Sequence, residues 1–348
     1  MRRNLKIGGL LLVPLGLLVL GLSFRFPETT ESVYAQGVYP QVVRLFAAVN
    51  RARFSWAEVL LVAAAVAAIF FFRPRRVLLT IWCAGGALLW SFLVLWGFNY
   101  ARPSLQARLS LDSPSADPKV LLRAGERTAA LTSSLFEALG EESGPTRLPM
   151  TFDELDRVID EGYRALALPG DRIRSVTAPA KPLWSSTLFS YLGVSGIFVP
   201  FTGEPSVNAL QPEAALPLVL AHEKAHQRGI THEGEANFAA FLVCSRKEAQ
   251  PYLRYAAYLF ATEHLLGEAG QYLPREDVAK AWDLLGAGPL ADVAALHEFW
   301  ERYEGVASDI TNEVNDSYLR ALRVPEGVES YGTVVRLLLA LDARGELI

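Results

Sequence analysis

Residues 218–237 read LVLAHEKAHQRGITHEGEAN and contain the most informative motif of the chain. Within it, His222 and His226 stand four residues apart, and Glu223 directly follows the first histidine. Residues four apart share one face of an α-helix, so both imidazoles can reach a single Zn²⁺ at about 2.0–2.1 Å. Glu223 would then face the open position of the metal, where a carboxylate can accept a proton from bound water. The pattern predicts a zinc site on a helix that stops at Gly229.

The third ligand of such a site must come from the residues that follow, and three of them qualify: His232, Glu233 and Glu235. A hydrolytic zinc site uses three protein ligands and leaves the fourth position for water. His232 completes the spacing HExxHxxGxxH, which is typical of metzincins, but metzincins also carry a methionine turn further along the chain. Here Met1 and Met150 both lie upstream, which argues against His232.

Glu233 and Asn237 stand four residues apart at the start of a second predicted helix. The pair resembles the glutamate and aspartate of gluzincins, in which the glutamate binds zinc and the aspartate orients a histidine ligand. Asn237 replaces that aspartate, so it can still accept a hydrogen bond from an imidazole, but without a charge. We take Glu233 as the third ligand and Asn237 as the residue that supports a histidine, with Glu235 and His232 as alternative ligands. The competing interpretation is that these acids only cap the helix N-terminus.

Three apolar stretches occupy the first hundred residues, at about 7–24, 54–72 and 77–100. The first and third carry no charge, and the second carries only Glu58, near its start. Each is close to the roughly 20 residues that a helix needs to cross a bilayer. We therefore predict a membrane domain over residues 1–100 with three transmembrane helices, the first of them retained as an anchor rather than cleaved as a signal peptide.

Basic residues predict the orientation of these helices. They cluster before the first stretch and between the second and third: Arg2, Arg3, Lys6, Arg73, Arg75 and Arg76. Such residues remain on the cytoplasmic side, so three crossings place everything after residue 100 outside the cytoplasm. The stretch 41–54 can lie along the membrane interface as an amphipathic helix.

The remainder of the chain predicts a mainly α fold. Prolines and serines over residues 101–118 indicate a linker. From 119 to 348, leucine and alanine recur at helical spacing, as in residues 152–168, where Thr151 and Glu154 form a capping box, and in residues 246–266. Residues 175–208 predict loops and short strands, with Pro200 forcing an edge or a bend. The predicted fold is mainly α, with three N-terminal transmembrane helices followed by an α-rich zincin-like domain that contains a small β-sheet.

Composition excludes several classes of protein. Hydrophobic residues make up 51% and charged residues 20% of the chain, which is too apolar for a disordered protein. The net charge is −4, so no basic field indicates a nucleic-acid partner. Two cysteines, Cys83 and Cys244, cannot form a disulfide framework.

Two weaker site predictions lie outside the motif. Residues 197–201 are a candidate edge strand that would pair with an extended substrate, and their alternative role is sheet packing. Tyr318, Tyr331 and His297 are candidates for stabilising an oxyanion, and their alternative role is structural.

Several segments together resemble an uncharacterised bacterial membrane family, the domain-of-unknown-function 3810 family. The segments are WGFNYARP at 96–103, GIFVPFTGEPSVN at 196–208, AHEKAHQRG at 221–229, EGEANFAAFLVC at 233–244 and NDSYLRALRVPEGVESYGTVVRLLLA at 315–340. This family is grouped with HExxH metallopeptidases, so the resemblance implies a zinc peptidase-like fold and names no substrate. It also implies a bacterial membrane protein; with the three apolar stretches and their basic flanks, this predicts a multi-pass protein of the cytoplasmic (inner) membrane whose C-terminal domain is extracytoplasmic.

The sequence therefore predicts a membrane-anchored zinc metallopeptidase with Zn²⁺ as cofactor, Glu223 as general base, and a protein or peptide as substrate. Its partners would be the lipid bilayer and that substrate, with no nucleic acid. The alternative is a non-enzymatic membrane sensor or scaffold that keeps the zincin-like fold. A purely structural zinc site has no need of Glu223, which favours the enzyme. Intramembrane proteolysis is disfavoured because His222 follows the last apolar stretch by more than a hundred residues.

Overall fold

The computed structural model describes residues 2–52, 54–71, 77–112, 117–141, 144–173, 177–305, 308–311 and 331–348. Arg73, Arg75, Arg76 and Tyr318 lie outside the described residues, and so does the side chain of Tyr331. The described chain is mainly helical and contains a three-stranded sheet, which confirms the predicted balance of helix and strand.

Four long helices occupy the first hundred residues: α1 (Arg2–Arg25), α2 (Tyr39–Val49), α3 (Trp56–Phe71) and α4 (Val77–Leu95). A π-helical segment, Thr30–Val38, leads into α2, and a 3₁₀ turn, Gly97–Ala101, follows α4. Helices α1 and α4 pack along each other, and the indole N–H of Trp90 donates to the carbonyl of Leu12 at 2.9 Å. The third apolar stretch is thus helical only as far as Leu95, because the chain tightens into the 3₁₀ turn there.

Among the described residues, no single helix combines the length and the apolar composition that crossing a bilayer requires. One pair near the N-terminus, Leu11–Arg25 and Pro27–Val49, meets those requirements together, with a bend of 100° between its halves. The three predicted transmembrane helices correspond in position to α1, α3 and α4, and their crossing of a membrane stays a prediction.

Ten further helices build the rest of the described chain. They are α5 (Leu105–Arg108), α6 (Pro118–Leu139), α7 (Phe152–Leu166), α8 (Ser186–Tyr191), α9 (Leu216–Gln227), α10 (Glu233–Cys244), α11 (Pro251–Ala269), α12 (Arg275–Asp283), α13 (Ala287–Glu301) and α14 (Tyr331–Ala343). Helices α6 and α11 approach closely because Gly125 has no side chain; a Cβ there would lie 2.3 Å from Leu266. Helix α10 is central, and its Phe238 and Phe241 are fully buried.

Local signals account for some helix boundaries and miss others. The predicted capping box is present: Thr151 accepts from the N–H of Glu154, whose carboxylate accepts from the N–H of Thr151. Helix α11 begins at Pro251 rather than at residue 246, because the chain turns after α10. Helix α8 lies inside the region predicted to be loops and strands, so that part of the prediction is wrong.

The sheet has the order β1-β3-β2, with β1 (Lys181–Pro182) parallel and β2 (Gly196–Val199) antiparallel to β3 (Glu204–Val207). Strand β2 lies at an edge of this sheet, as predicted, but it ends at Val199 because Pro200 opens the turn that leads to β3. Both β2 and β3 pack against α9, so the sheet lies beside the helix that carries the two histidines.

Candidate metal centre

His222, His226 and Glu233 come together as a group whose ligand atoms all lie within 4.8 Å of one another. Glu233 Oε2 lies 3.1 Å from His222 Nε2 and 3.6 Å from His226 Nε2. Zinc with bonds of about 2.0–2.1 Å in tetrahedral geometry separates its ligand atoms by about 3.4 Å. The two distances bracket that value, and two imidazoles with one carboxylate are a zinc donor set, so these residues fit the metal.

The two helices that carry the group are set by a short connection. Helix α9 ends at Gln227, and Gly229 adopts a positive φ of 76°, which turns the chain back. Helix α10 then begins at Glu233, so its first residue points at the face of α9 that holds both histidines. Gly229 is constrained on its other side as well, since a Cβ there would lie 2.7 Å from the side chain of Asn99.

Both histidines are oriented through the ring nitrogen that faces away from Glu233. His222 Nδ1 lies 2.7 Å from Asn237 Oδ1, and His226 Nδ1 lies 2.7 Å from the carbonyl of Ile230. Both partners are acceptors, so each Nδ1 carries the hydrogen and each Nε2 is left to bind a metal. Asn237 therefore occupies the supporting position for which the sequence selected it.

The two alternative ligands lie elsewhere. Glu235 is buried and accepts the N–H of Leu105 at 2.6 Å, so it anchors the segment that was predicted to be a linker. His232 precedes α10, and its ring lies 6.4 Å from the ring of Tyr100. Neither belongs to the group that brings His222 and His226 together with Glu233.

Glu223 lies between the metal ligands and the edge strand of the sheet. Its side chain is 3% exposed, and its Oε2 has no hydrogen-bond partner among the described residues. Burial raises the pKa of Glu223 to about 7. Burial alone would lower the pKa of His226, but the Glu233 carboxylate raises it to about 9, so metal binding must displace a proton there. Glu223 thus offers a buried carboxylate oxygen with free lone pairs next to the candidate metal ligands.

Strand β2 approaches Glu223 so closely that only glycine fits at its first position. A Cβ on Gly196 would lie 2.6 Å from Glu223 Oε1 and 2.9 Å from its Cγ. Any side chain at residue 196 would therefore displace the Glu223 carboxylate. The first weaker prediction, an edge strand beside the site, agrees with this position of β2.

The opposite face of α9 is held by buried ion pairs. Lys224, between the two histidines in sequence, is fully buried, and its Nζ lies 2.8 Å from Asp156 and 3.0 Å from Asp160, both on α7. Arg228 lies 3.4 Å from Asp160 and 3.1 Å from Asp171. These contacts fix the rotation of α9, so they decide where its histidines point.

The C-terminal end of α9 is capped by residues from the first part of the chain. Helices leave their last carbonyls without partners inside the helix. Here three side chains supply donors: Trp96 Nε1 donates to His226 (2.9 Å), the Tyr39 hydroxyl to Gln227 (2.9 Å), and Arg102 Nη1 to Arg228 (3.3 Å) and Gly229 (3.1 Å). No spacing in the sequence predicts these three contacts, although Trp96 and Arg102 belong to the segment WGFNYARP that carries the family resemblance.

The oxyanion candidates receive no support from the described residues. His297 is exposed on α13. Tyr318 and the side chain of Tyr331 lie outside the described part of the chain. Next to the ligands lie instead the buried carboxylate of Glu223 and the half-buried Gly196.

The fold and the site define a mainly helical protein in which two neighbouring helices form a candidate His₂Glu metal centre. Residues 34–339 match the model of the family described as "Protein of unknown function (DUF3810)", so the chain belongs to that family. The match includes the metal group and the three side chains that cap α9. Comparisons with curated proteins and with solved structures give no match.

Proposed function

We propose that this protein is a membrane-anchored zinc metallopeptidase that hydrolyses peptide bonds. The observation that carries the proposal is the convergence of His222, His226 and Glu233 beside the buried, unpartnered carboxylate oxygen of Glu223. A purely structural zinc site is closed by protein ligands, whereas a catalytic one keeps three and leaves a position open. Three ligands with an adjacent base match the second pattern.

The roles of the residues follow from their positions. His222, His226 and Glu233 would hold Zn²⁺, which when bound polarises the scissile carbonyl and lowers the pKa of water. Glu223 accepts the proton of the attacking water and returns it to the leaving amine. Asn237 keeps His222 in the tautomer that leaves Nε2 free.

The position of strand β2 at an edge of the sheet favours a polypeptide as the substrate. Among the described residues β2 pairs on one side with β3, and it is an edge of the sheet. An extended peptide can add to such an edge through main-chain hydrogen bonds, as in other strand-addition complexes. Because Gly196 touches Glu223, a peptide on this edge would pass directly over the general base.

Membrane anchoring through α1, α3 and α4 is part of the proposal. Large apolar side chains are exposed along these helices: Leu11, Leu15, Leu17, Leu18, Leu22, Leu60, Leu61, Val62, Val66, Ile81, Trp82 and Leu88. Lipid would cover them, since such a patch is costly in water. We propose the bacterial cytoplasmic membrane, with the metal centre on the extracytoplasmic side. Reporter fusions after Arg76 and after Asp117 are expected on opposite sides, and fusions on the same side would contradict this topology.

Metal analysis and one substitution test the chemistry on the full-length protein in lipid nanodiscs. About one Zn²⁺ per chain is expected, and it should be absent from the His222→Ala/His226→Ala double variant. Glu223→Gln should keep zinc while hydrolysis of a mixed peptide pool falls by about 10² to 10⁴-fold, because glutamine cannot accept the proton. Glu298→Gln, at an exposed site on α13, is the matched control and should change neither.

The competing function is a non-enzymatic membrane sensor or scaffold. It predicts bound zinc with no hydrolysis that depends on Glu223. Stoichiometric zinc together with equal peptide turnover in the wild type and in Glu223→Gln would therefore favour it. Zinc that persists in the double-histidine variant would instead contradict the site itself.

A further inference from the structure

The candidate metal centre lies next to the end of an apolar helix. Trp96 directly follows α4, donates its indole N–H to the carbonyl of His226 at 2.9 Å, and its ring centre lies 6.0 Å from that of His226. One side chain therefore separates the last turn of α4 from a metal ligand. The long sequence separation between His222 and the last apolar stretch, which argued against intramembrane proteolysis, therefore does not correspond to a separation in space.

The start of a second apolar helix is fixed to the sheet beside the site. Glu204 on β3 accepts the N–H groups of Trp56 (3.0 Å) and Ala57 (2.9 Å), two of the donors that the first turn of α3 leaves unpaired. In return, Glu58 of α3 accepts the N–H groups of Trp184 (3.2 Å) and Ser185 (3.0 Å). This reciprocal pairing holds the start of α3 against the strand next to β2.

The turn between β2 and β3 is held from the same side. Asn50 donates to the carbonyl of Thr202 at 3.1 Å, and the ring of Phe46 lies where a Cβ on Gly203 would be. Phe198 of β2 packs against Trp96, with ring centres 5.6 Å apart. These contacts join β2, α9, the start of α3 and the C-terminal end of α4 into one continuous surface.

Exposed apolar and aromatic side chains lie on the edge strand and the turn after it, at Ile197 (38% exposed) and Phe201 (40%), and on the segment 184–191, which Glu58 joins to the start of α3, at Trp184 (59%), Leu188 (57%) and Tyr191 (53%). Tryptophan and tyrosine are enriched where proteins meet the headgroup region of a bilayer. Trp184 is joined to Glu58 at the start of α3, so this patch lies at the level where an apolar helix begins.

We infer that the candidate metal centre faces the bilayer surface, and that its substrate is the juxtamembrane segment of a membrane-anchored polypeptide. This inference rests on the proposed function. An extended chain advances by about 3.3 Å per residue, and a headgroup layer is about 5–7 Å thick. A scissile bond within roughly five residues of the anchor can therefore reach the site, whereas distant bonds in a long ectodomain have no preferred route to it.

The activity test uses the full-length protein in nanodiscs and a mixed-sequence peptide pool, either free or attached to a palmitoyl anchor. We expect anchored peptides to be cut at least 10-fold faster, with cuts within about five residues of the anchor as located by mass spectrometry. An anchor also concentrates the peptide at the membrane, which by itself would speed up cleavage at every position. Cuts that cluster near the anchor therefore show that the position of the site relative to the bilayer matters. Free peptides cut as fast as anchored ones, or cuts spread evenly along anchored ones, would overturn the inference and leave the peptidase standing. If Glu223→Gln and the wild type behave alike on both pools, the proposed function fails and the inference with it.

A second measurement locates the patch without catalysis. A fluorophore is attached at Leu188→Cys, or at Tyr272→Cys as the control, in a Cys83→Ser background. Tyr272 is exposed beyond α11, a helix that packs mainly on α6. Lipids spin-labelled at the headgroup should quench the label at 188 several-fold more than the label at 272. Equal quenching at both positions would overturn the placement at the bilayer surface, whatever the enzyme does.

Discussion

The two faces of α9 differ in how they pair basic side chains with acids. One face carries His222 and His226, which meet Glu233 of the next helix, and the Glu233 side chain remains 33% exposed. The opposite face carries Lys224, which is fully buried and meets two aspartates of α7. The first face is open enough for a ligand to exchange, whereas the second is closed.

On this one helix, the candidate metal ligands and the ion pairs that fix the helix therefore lie on different faces. Buried ion pairs add little net stability compared with apolar packing, but the loss of one partner leaves an unpaired charge inside the protein. Turning α9 about its own axis would separate the buried ion pairs of the closed face, so the helix is held in one orientation. The open face keeps contact with solvent through the side chains of His222 (15% exposed) and Glu233 (33% exposed), so a ligand can reach it without unfolding.

The largest effect is expected on the closed face. Asp160→Asn removes the charge that Lys224 and Arg228 share, while Asp156 still pairs with Lys224 and Asp171 with Arg228. We therefore expect the free energy of unfolding to fall by about 3 kcal/mol, the lower end of the range for a broken buried pair. Burial raises the pKa of Asp160, but those two cations hold it below its usual value. The stabilisation is therefore present at neutral pH and is lost only as the pH falls through that lowered pKa. Denaturant titration in detergent measures the change.

Glu161→Gln on the same helix is the control for that measurement. Glu161 pairs with Arg157 at 3.6 Å on the exposed surface, so its loss should cost less than about 1 kcal/mol. Equal losses for Asp160→Asn and Glu161→Gln would show that the closed face is not what fixes α9.

The next effect concerns the open face. Glu233→Gln should lower zinc affinity by more than about 100-fold, beyond the range seen for residues that only support a ligand, while the fold is retained. His232→Ala and Glu235→Gln should leave zinc affinity within a few-fold, although Glu235→Gln weakens the contact with Leu105. Competition with a chromophoric chelator gives the affinities. If His232→Ala alone empties the site, the metzincin-like spacing was the correct signal.

The contrast between the faces also explains what the sequence could predict. His222, His226, Glu233 and Asn237 lie within one short window, and helical periodicity alone places them together. The partners of Lys224 come from α7, more than sixty residues earlier in the sequence, and no local pattern links them. Such contacts depend on how helices pack, so they cannot be predicted from a local pattern in a single sequence.

The same limit applies to the N-terminal region and to the sheet. The sequence predicted helices near α1, α3 and α4. It did not predict that Trp96 and Tyr39 would cap the C-terminal end of α9. It predicted the edge strand and the effect of Pro200, because both follow from backbone chemistry. It missed α8, whose six residues are too few for a periodic pattern to emerge.

A smaller effect is expected at the residue that orients His222. Asn237→Ala removes the acceptor 2.7 Å from His222 Nδ1, which should lower zinc affinity by about 10- to 100-fold. Asn237→Asp should restore affinity or increase it, because a carboxylate raises the basicity of the imidazole. An alanine variant that binds zinc like the wild type would show that α9 alone orients the ring.

The smallest effect is expected at the cap. Trp96→Phe keeps a ring but removes the N–H, and the carbonyl of His226 still accepts the N–H of Gly229 at 2.9 Å. The loss should therefore be about 1 kcal/mol of unfolding free energy. Phe92→Leu, on α4 one turn before Trp96, is the comparison variant; a Phe side chain has no N–H to donate, so any loss there reflects apolar packing rather than capping.

The cap on α9 also bears on the order in which the protein folds. The hydrogen bond from Tyr39 to Gln227 joins residues 188 positions apart, so it cannot form until most of the chain has left the ribosome. Contacts of such long range close late and slowly. We therefore expect the N-terminal helices to be in place before α9 is completed. Under the proposed function, the chain would then acquire zinc only after insertion, and a newly made chain would stay inactive until that point.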